Sequence, residues 1–203
     1  MELQKRNLIN KKKKEGSNIN IFIAGASGGI GRYLTERFDK KENLLYLTYN
    51  THLDNIYTPK NAEYEIICAD FTQAHSVLNS FRDIDYLDVL INVMGFVDNE
   101  LIGRMEEKQW DNVVNSNLKT VFLSCKYGLI VLKEGSHIIN ISSILGTTGM
   151  IGASNYVAAK GGVEAFTKSF ALECIREKIY VNAISLGYFN TRIVTGKLEI
   201  FMI

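Results

Sequence analysis

The sequence lacks an excess of charge of either sign. Lys and Arg total 23, Asp and Glu total 22, and the formal net charge is +1. This balance gives no electrostatic basis for binding nucleic acid or an anionic membrane surface. We therefore expect neither nucleic acid nor a membrane among the partners of this protein.

Cysteine is scarce, with Cys68, Cys125 and Cys174 far apart among 203 residues. Their spacing fits neither a zinc site nor a redox pair. A sparse, odd-numbered set is typical of reduced thiols in a cytosolic protein. We expect a cytoplasmic protein without a bound metal.

Long apolar runs are also missing. No stretch reaches the ~18 apolar residues that a membrane span needs. The N-terminal region is polar, contains four lysines at 11–14 and is followed by no apolar segment typical of a signal peptide. We predict a disordered basic tail over residues 1–17 and a single domain over residues 18–203.

What the sequence does contain is an alternation of short apolar runs with helical patterns. Strands are predicted over 19–24, 44–49, 64–69, 87–92, 137–141 and 180–184. Helices are predicted over 30–40, 76–81, 106–132 and 155–176, and the polar residues after 49 give only a weak helical pattern. This alternation implies right-handed βαβ units. We predict a Rossmann-type, doubly wound parallel α/β fold of three layers with six strands.

A glycine-rich turn, GASGGIG over residues 25–31, joins the first predicted strand to the first predicted helix. In this context a pyrophosphate can bind backbone N–H groups at the helix N-terminus, where a Cβ would block its approach. An ordinary tight turn is the alternative. The glycine spacing, at Gly25, Gly29 and Gly31, is not the common G-x-G-x-x-G.

Tyr156 and Lys160 are four residues apart in a predicted helix and therefore share one face. A free tyrosine has a pKa of about 10. A nearby ammonium lowers that pKa, which would let Tyr156 exchange a proton with a carbonyl or alcohol oxygen near pH 7. The alternative is a tyrosine and a lysine on an ordinary helix surface.

Two more polar residues precede this pair. Ser143 closes the fifth predicted strand, where a turn cap is the alternative role and Ser142 is the neighbouring candidate. Asn117 lies within an apolar helical stripe, where its amide needs partners, and Asn115 is the competing choice.

These segments together resemble the short-chain dehydrogenase/reductase family, over about residues 18–192, and most closely its 3-oxoacyl-[acyl-carrier-protein] reductases. The resemblance implies hydride transfer between a nicotinamide and a small carbonyl or alcohol substrate, including one carried by acyl carrier protein. It implies that Ser143 hydrogen-bonds the substrate oxygen, that Tyr156 exchanges the proton, that Lys160 holds the nicotinamide ribose, and that Asn117 holds a water in a proton relay.

The resemblance also implies which residues bind the cofactor: Gly25, Ser27, Gly29, Ile30, Gly31, Asp70, Asn92, Gly95, Tyr156, Lys160, Gly187 and Thr191. Asp70 would contact the adenine, although it could instead cap the next turn. Met94 and Leu186 depart from the family pattern, which has a smaller residue and a proline there.

Cofactor preference depends on the end of the second predicted strand. An acid there usually binds the ribose hydroxyls of NAD(H). Residues 48–51 contain none, and Asp54 is the first. We therefore expect NADP(H) over NAD(H), even though Gly28 stands where the family often has a phosphate-binding arginine.

Family members commonly continue to a seventh strand, so the resemblance implies a C-terminally short domain. One alternative is therefore a catalytically impaired nucleotide-binding or scaffold protein. An epimerase or dehydratase of the extended family is a second alternative, although these usually carry a longer C-terminal domain. By resemblance, the helical segments 110–132 and 156–176 predict a homodimer or homotetramer.

Overall fold

In the computed structural model of the chain, residues 19–187 are described. The predicted tail over residues 1–17 and the predicted cofactor residue Thr191 lie outside this range. Within it, six strands form one parallel sheet in the order β3-β2-β1-β4-β5-β6. The bounds are β1 (Ile19–Ala24), β2 (Asn43–Tyr49), β3 (Glu63–Cys68), β4 (Leu87–Asn92), β5 (Leu132–Ser143) and β6 (Tyr180–Leu186). The predicted doubly wound, six-stranded Rossmann-type fold is confirmed for the described residues.

Helices form the crossovers between the strands, except between β2 and β3. Their bounds are α1 (Gly29–Phe38), α2 (Ala74–Ser80), α3 (Glu107–Val114), α4 (Thr120–Gly128), α5 (Leu145–Thr148) and α6 (Ser154–Glu173). None of these described helices is long and apolar enough to cross a membrane. Within residues 19–187, no group of three His, Cys, Asp or Glu side chains is placed to hold a metal ion.

The central strand β1 contributes to a hydrophobic core on each face of the sheet, because successive strand residues point to opposite faces. Phe22 packs on one face with Phe81, at 4.5 Å between ring centroids. Ile21 and Ile23 pack on the other face with Leu45. These five side chains are at most 1% exposed, and burial of each one stabilises the fold by about 1.5–3 kcal/mol.

The predicted helix over 106–132 is interrupted. It consists of α3, a π-helical turn at Asn115–Lys119, and α4, which ends at Gly128. The apolar spacing predicted the helical course correctly, but it did not indicate the π turn, which is a rare single turn of i→i+5 hydrogen bonds inside an α-helix.

Strand β5 begins five residues earlier than predicted, at Leu132. Its first part is polar and therefore lacks an apolar strand pattern. It pairs through Leu132 with Leu87, and the register shifts before His137 pairs with Val89. The Ser136 hydroxyl donates to the Leu87 carbonyl at 2.7 Å and stabilises this irregular start.

The weakly patterned segment after β2 contains only a 3₁₀ turn, Leu53–Asn55. The loop that follows is held by the carboxylate of Asp39, which accepts backbone N–H groups from Lys60, Asn61 and Ala62 at 2.7–2.8 Å. Burial opposes ionisation of this carboxyl, but these bonds and one from the Tyr57 hydroxyl prevail and lower the pKa of Asp39 to about 2.

Candidate active site

The predicted site residues within the described range gather at the carboxyl edge of the sheet. Chain order reverses between β1 and β4, and in open α/β sheets this switch point forms a crevice outside the strand ends. The glycine-rich turn follows β1, Gly95 follows β4, Ser143 ends β5 and Gly187 follows β6. The topology therefore brings together residues that are far apart in sequence.

The glycine-rich turn is shaped by its first residue. Gly25 has a φ of +95°, which an L side chain rarely adopts, and its N–H donates to the Thr48 hydroxyl at 2.9 Å. Helix α1 starts at Gly29 with no side-chain cap and no acid in its first turn. Its unpaired N–H groups and positive dipole end are thus available to an anion.

Gly31 has a different role from the one that the sequence suggested for all three glycines. A Cβ at Gly31 would lie 2.2 Å from the Gly25 carbonyl oxygen and 2.8 Å from the Ala26 Cα. Gly31 is also buried. Its lack of a side chain lets α1 pack on the turn rather than letting a phosphate approach.

A cleft of about 280 Å³ opens beside this turn. Among the predicted cofactor residues it is lined by Gly25, Ser27, Gly29, Ile30, Asp70 and Gly95. Lining residues that the sequence reasoning did not assign include Tyr49, Phe71, Ser116 and Thr120. The helical residues Ser116 and Thr120 are one turn apart, a spacing that could have indicated a shared polar face.

Asp70 lines the cleft and also caps the turn that follows β3, which was the alternative role for this residue. Its Oδ1 accepts the Thr72 N–H at 2.9 Å and the Thr72 hydroxyl at 2.7 Å. This bonding fixes the turn that leads into α2. Asp70 therefore fixes this turn through Oδ1, while Oδ2 can accept a donor from a molecule in the cleft.

Asn92 does not line the cleft. Its side chain is fully buried and donates to Asn140 Oδ1 at 2.8 Å, and Asn140 in turn donates to the Thr167 hydroxyl at 2.9 Å. This polar ladder connects β4, β5 and α6. The structure therefore shows Asn92 linking the strands that carry the site, through Asn140, which the sequence reasoning did not single out.

Tyr156 and Lys160 lie on one face of α6, as their spacing predicted. The Lys160 Nζ is 5.7 Å from the centroid of the Tyr156 ring and donates to the Ile141 carbonyl at 2.9 Å. Lys160 is 3% exposed, and burial lowers its pKa to about 8. An ammonium in this position is costly to bury, which is typical of a functional group rather than a structural one.

The expected lowering of the Tyr156 pKa is wrong. Burial raises the pKa of the Tyr156 phenol above its usual value, and a side-chain hydrogen bond with Ser143 opposes this shift.

Ser143 faces Tyr156, whereas its neighbour faces elsewhere. The Ser142 hydroxyl is directed to α6, at 3.0 Å from the Lys160 carbonyl oxygen. Ser143 also accepts the Leu145 N–H at 3.2 Å, so the alternative role as a turn cap is present too. The choice of Ser143 over Ser142 agrees with these directions.

Asn117 occupies the π-helical turn and is fully buried. Its Nδ2 donates to the Phe96 carbonyl at 2.6 Å and to the Val113 carbonyl at 2.9 Å, while its Oδ1 has no partner. A Cβ at Gly95 would lie 3.0 Å from that oxygen and 3.8 Å from the Lys160 Nζ. Asn117 and Lys160 therefore adjoin one small space at Gly95.

Asn155 is a residue that the sequence reasoning missed. It is fully buried, its Nδ2 donates to the Asp98 carbonyl at 2.9 Å, and its Oδ1 accepts the Tyr156 N–H at 2.8 Å. It joins the loop after β4 to the start of α6. The sequence signal for it was an asparagine directly before the tyrosine, at the start of a predicted helix. Among residues 19–187, no atom lies within 4 Å of a Cβ placed at Gly187.

Comparison with known proteins identifies this arrangement. Residues 20–199 match the sequence model of the short chain dehydrogenase family. The chain belongs to the short-chain dehydrogenase family. As a member of it, the protein is an oxidoreductase that acts on CH–OH or C=O groups with a nicotinamide cofactor.

Curated relatives support the same family. The chain is 30% identical over 178 residues to a 3-oxoacyl-[acyl-carrier-protein] reductase of Vibrio harveyi, covering 84% of this chain and 73% of that protein. It is 33% identical over 184 residues to the reductase of that name from Staphylococcus epidermidis, covering 84% and 75%. No comparison favours the impaired scaffold alternative or the extended-family alternative.

A solved structure supports the fold of this short-chain dehydrogenase. A dehydrogenase/reductase from Sinorhizobium meliloti 1021 superposes with a TM-score of 0.82 at 23% identity. The match covers 88% of this chain and 75% of the other. At this identity it is evidence for the fold alone.

Proposed function

We propose that this short-chain dehydrogenase is an NADP(H)-dependent reductase of 3-oxoacyl substrates, including those carried by acyl carrier protein. The main support is one observation: Ser143, Tyr156 and the buried ammonium of Lys160 lie together at the carboxyl edge of the sheet. Relatives named 3-oxoacyl-[acyl-carrier-protein] reductase supply the substrate class.

The chemistry assigned to the chain is a proton transfer. The nicotinamide, when bound, supplies the hydride to the carbonyl carbon. Tyr156 donates its phenolic proton to the oxygen, and the Ser143 hydroxyl hydrogen-bonds the charge that develops there. Lys160, mostly protonated below its pKa of about 8, stabilises the resulting phenolate. The unpartnered Oδ1 of Asn117 can hold a water beside Lys160 and so return a proton.

The residues near the glycine-rich turn fit a dinucleotide. The exposed backbone of Gly28 and Gly29 leads to the uncapped start of α1, which suits a pyrophosphate. Asp70 suits the adenine side of the same cleft.

NADP(H) is favoured because no acid lies at the end of β2. The cleft is lined there by Thr48, Tyr49 and Asn50, and among the described lining residues only Asp70 carries a carboxylate. Arg32 on α1 donates to the Asn55 carbonyl in the loop after β2 at 3.3 Å, but it is not a lining residue of the cleft, so the support for NADP(H) is the missing acid.

An acyl chain suits the apolar surface around the proposed catalytic residues. Phe96 adjoins Gly95, Ile144 follows Ser143, and Ile151 precedes α6. Their exposed fractions are 46%, 43% and 69%, which is high for large apolar side chains.

We also propose a homodimer or homotetramer formed through α3, α4 and α6. Trp110, Phe122 and Leu172 on these helices are exposed by 38%, 42% and 71%. Light scattering on the purified protein would test this, and a monomer at micromolar concentration would contradict it.

The function is tested by following NADPH oxidation with an acetoacetyl thioester, presented on coenzyme A and on acyl carrier protein. We expect turnover with NADPH, and at least about tenfold lower kcat/KM with NADH. Tyr156→Phe should reduce kcat by about 10³-fold or more while leaving the NADPH dissociation constant within a few fold. Retention of most activity in that variant would remove the proposed proton donor.

A further inference from the structure

Glu164, one helical turn after Lys160 on α6, binds three hydroxyl groups from three other segments. Its Oε1 accepts the Ser142 hydroxyl at 3.1 Å and also the Ser185 hydroxyl. Its Oε2 accepts the Thr147 hydroxyl at 3.5 Å. No cation pairs with this half-buried carboxylate among residues 19–187, so the hydroxyls are its bonding partners there.

The three hydroxyls belong to the segments that present the proposed site. Ser142 directly precedes Ser143 at the end of β5, and Ser185 is opposite Ser142 in the register of β5 and β6. Ser185 is two residues before Gly187. Thr147 lies on α5, the short helix after Ser143. One carboxylate thus spans the ends of both strands.

Ser142 connects Glu164 to the backbone of Lys160 as well. Its hydroxyl has one hydrogen and two acceptors, Glu164 Oε1 at 3.1 Å and the Lys160 carbonyl at 3.0 Å. A change at Glu164 would therefore alter which acceptor Ser142 uses.

We propose that Glu164 is a positioning residue that holds the ends of β5 and β6 at a fixed spacing. It acts on Ser143 through the adjacent Ser142, and on Gly187 through Ser185. The inference rests on the proposed function. Hydrogen bonds to an ionised carboxylate are stronger than neutral ones, and a carboxylate accepts several donors without offering one. Glutamine has the same shape but presents an N–H₂ donor to these hydroxyls.

The first test compares Glu164→Gln with Glu173→Gln, which removes the same charge from an exposed position on the same helix. We expect Glu164→Gln to lower kcat about tenfold, because small misplacements at a reacting centre cost that much or more. The NADPH dissociation constant should change less than about threefold, and Glu173→Gln should match the wild type. Equal kcat in the two variants would refute the proposal.

A double-mutant cycle tests whether Glu164 acts through Ser143. In a Ser143→Ala background, Glu164→Gln should cause less than about a twofold further loss of kcat, because the group to be positioned is gone. A full tenfold further loss would mean a general structural role and would overturn the proposal.

Hydrogen exchange gives a readout that needs no turnover. Glu164→Gln should speed amide exchange in peptides covering 141–148 and 181–187, while Glu173→Gln should not. Ser185→Ala should also speed exchange in 181–187, and it provides the same test if Glu164→Gln folds poorly. Unchanged exchange in both Glu164→Gln and Ser185→Ala would refute the proposal that Glu164 holds the ends of β5 and β6. Absence of reductase activity in the wild type, with these exchange changes present, would refute the proposed function alone.

Discussion

Replacing Gly31 with alanine should destabilise the protein even without a cofactor. The new Cβ would lie 2.2 Å from the Gly25 carbonyl oxygen, whereas carbon–oxygen contacts are normally ~3.3 Å or longer. Helix α1 or the turn must therefore move by roughly 1 Å. Overpacking of this kind costs about 1–3 kcal/mol, and the upper end applies because the obstacles are backbone atoms.

Alanine also stabilises a helix by roughly 0.5–1 kcal/mol relative to glycine, which leaves a net loss of about 2 kcal/mol. For a chain of this length we expect a drop in Tm of roughly 4–8 °C, measured by circular dichroism without cofactor. Gly103→Ala is the matched control, since no atom of the described part of the chain lies within 4 Å of its Cβ position. A Gly31→Ala variant that melts within about 2 °C of the wild type would refute the proposed packing role.

Three further predictions concern charge and buried polar groups. Lys160→Met should abolish turnover yet stabilise the protein by about 1–3 kcal/mol at pH 7, because it removes a buried ammonium. The pKa of Lys160 is about 8 in the folded protein and 10.5 for the free side chain. The gain in stability should therefore shrink as pH rises from 8 to 10.5, as measured by urea titration. Asp39→Asn should lower stability at pH 7, and since its folded pKa of about 2 lies below 3.8, urea titrations should show the difference from wild type fading as pH falls from about 4 towards 2. Asn155→Ala should cost about 1–3 kcal/mol and lower kcat, because the Asp98 carbonyl and the Tyr156 N–H lose their partner; unchanged stability and kcat would contradict this role.

The spacing of Tyr156 and Lys160 was sufficient to place both on one helical face, because this relation is local. The parallel, six-stranded architecture also followed from the sequence, since the alternation of strands and helices implies right-handed βαβ units. By contrast, the early start of β5 depends on Leu132 pairing with Leu87, a contact between distant segments within a polar stretch. Periodicity carries no signal for such a contact.

The chemistry of the site was less accessible than its location. The sequence correctly paired an ammonium with a phenol, but it could not indicate that Lys160 turns to the Ile141 carbonyl and that burial raises the Tyr156 pKa. The hydrogen bonds of Glu164 could not be predicted from the sequence either, since they join residues from α6, β5, β6 and α5. Such features depend on side-chain direction and desolvation, which follow from the packed structure rather than from spacing.

Thr48 imposes a constraint on any attempt to redesign the coenzyme preference. Converting the proposed NADP(H) preference to NAD(H) would call for a carboxylate at the end of β2. Thr48 is 1% exposed, and its hydroxyl accepts the Gly25 N–H. An acid in place of Thr48 would therefore disrupt the glycine-rich turn. Asn50 is exposed and lines the same cleft. The engineering route therefore runs through Asn50→Asp, with Thr48 left untouched.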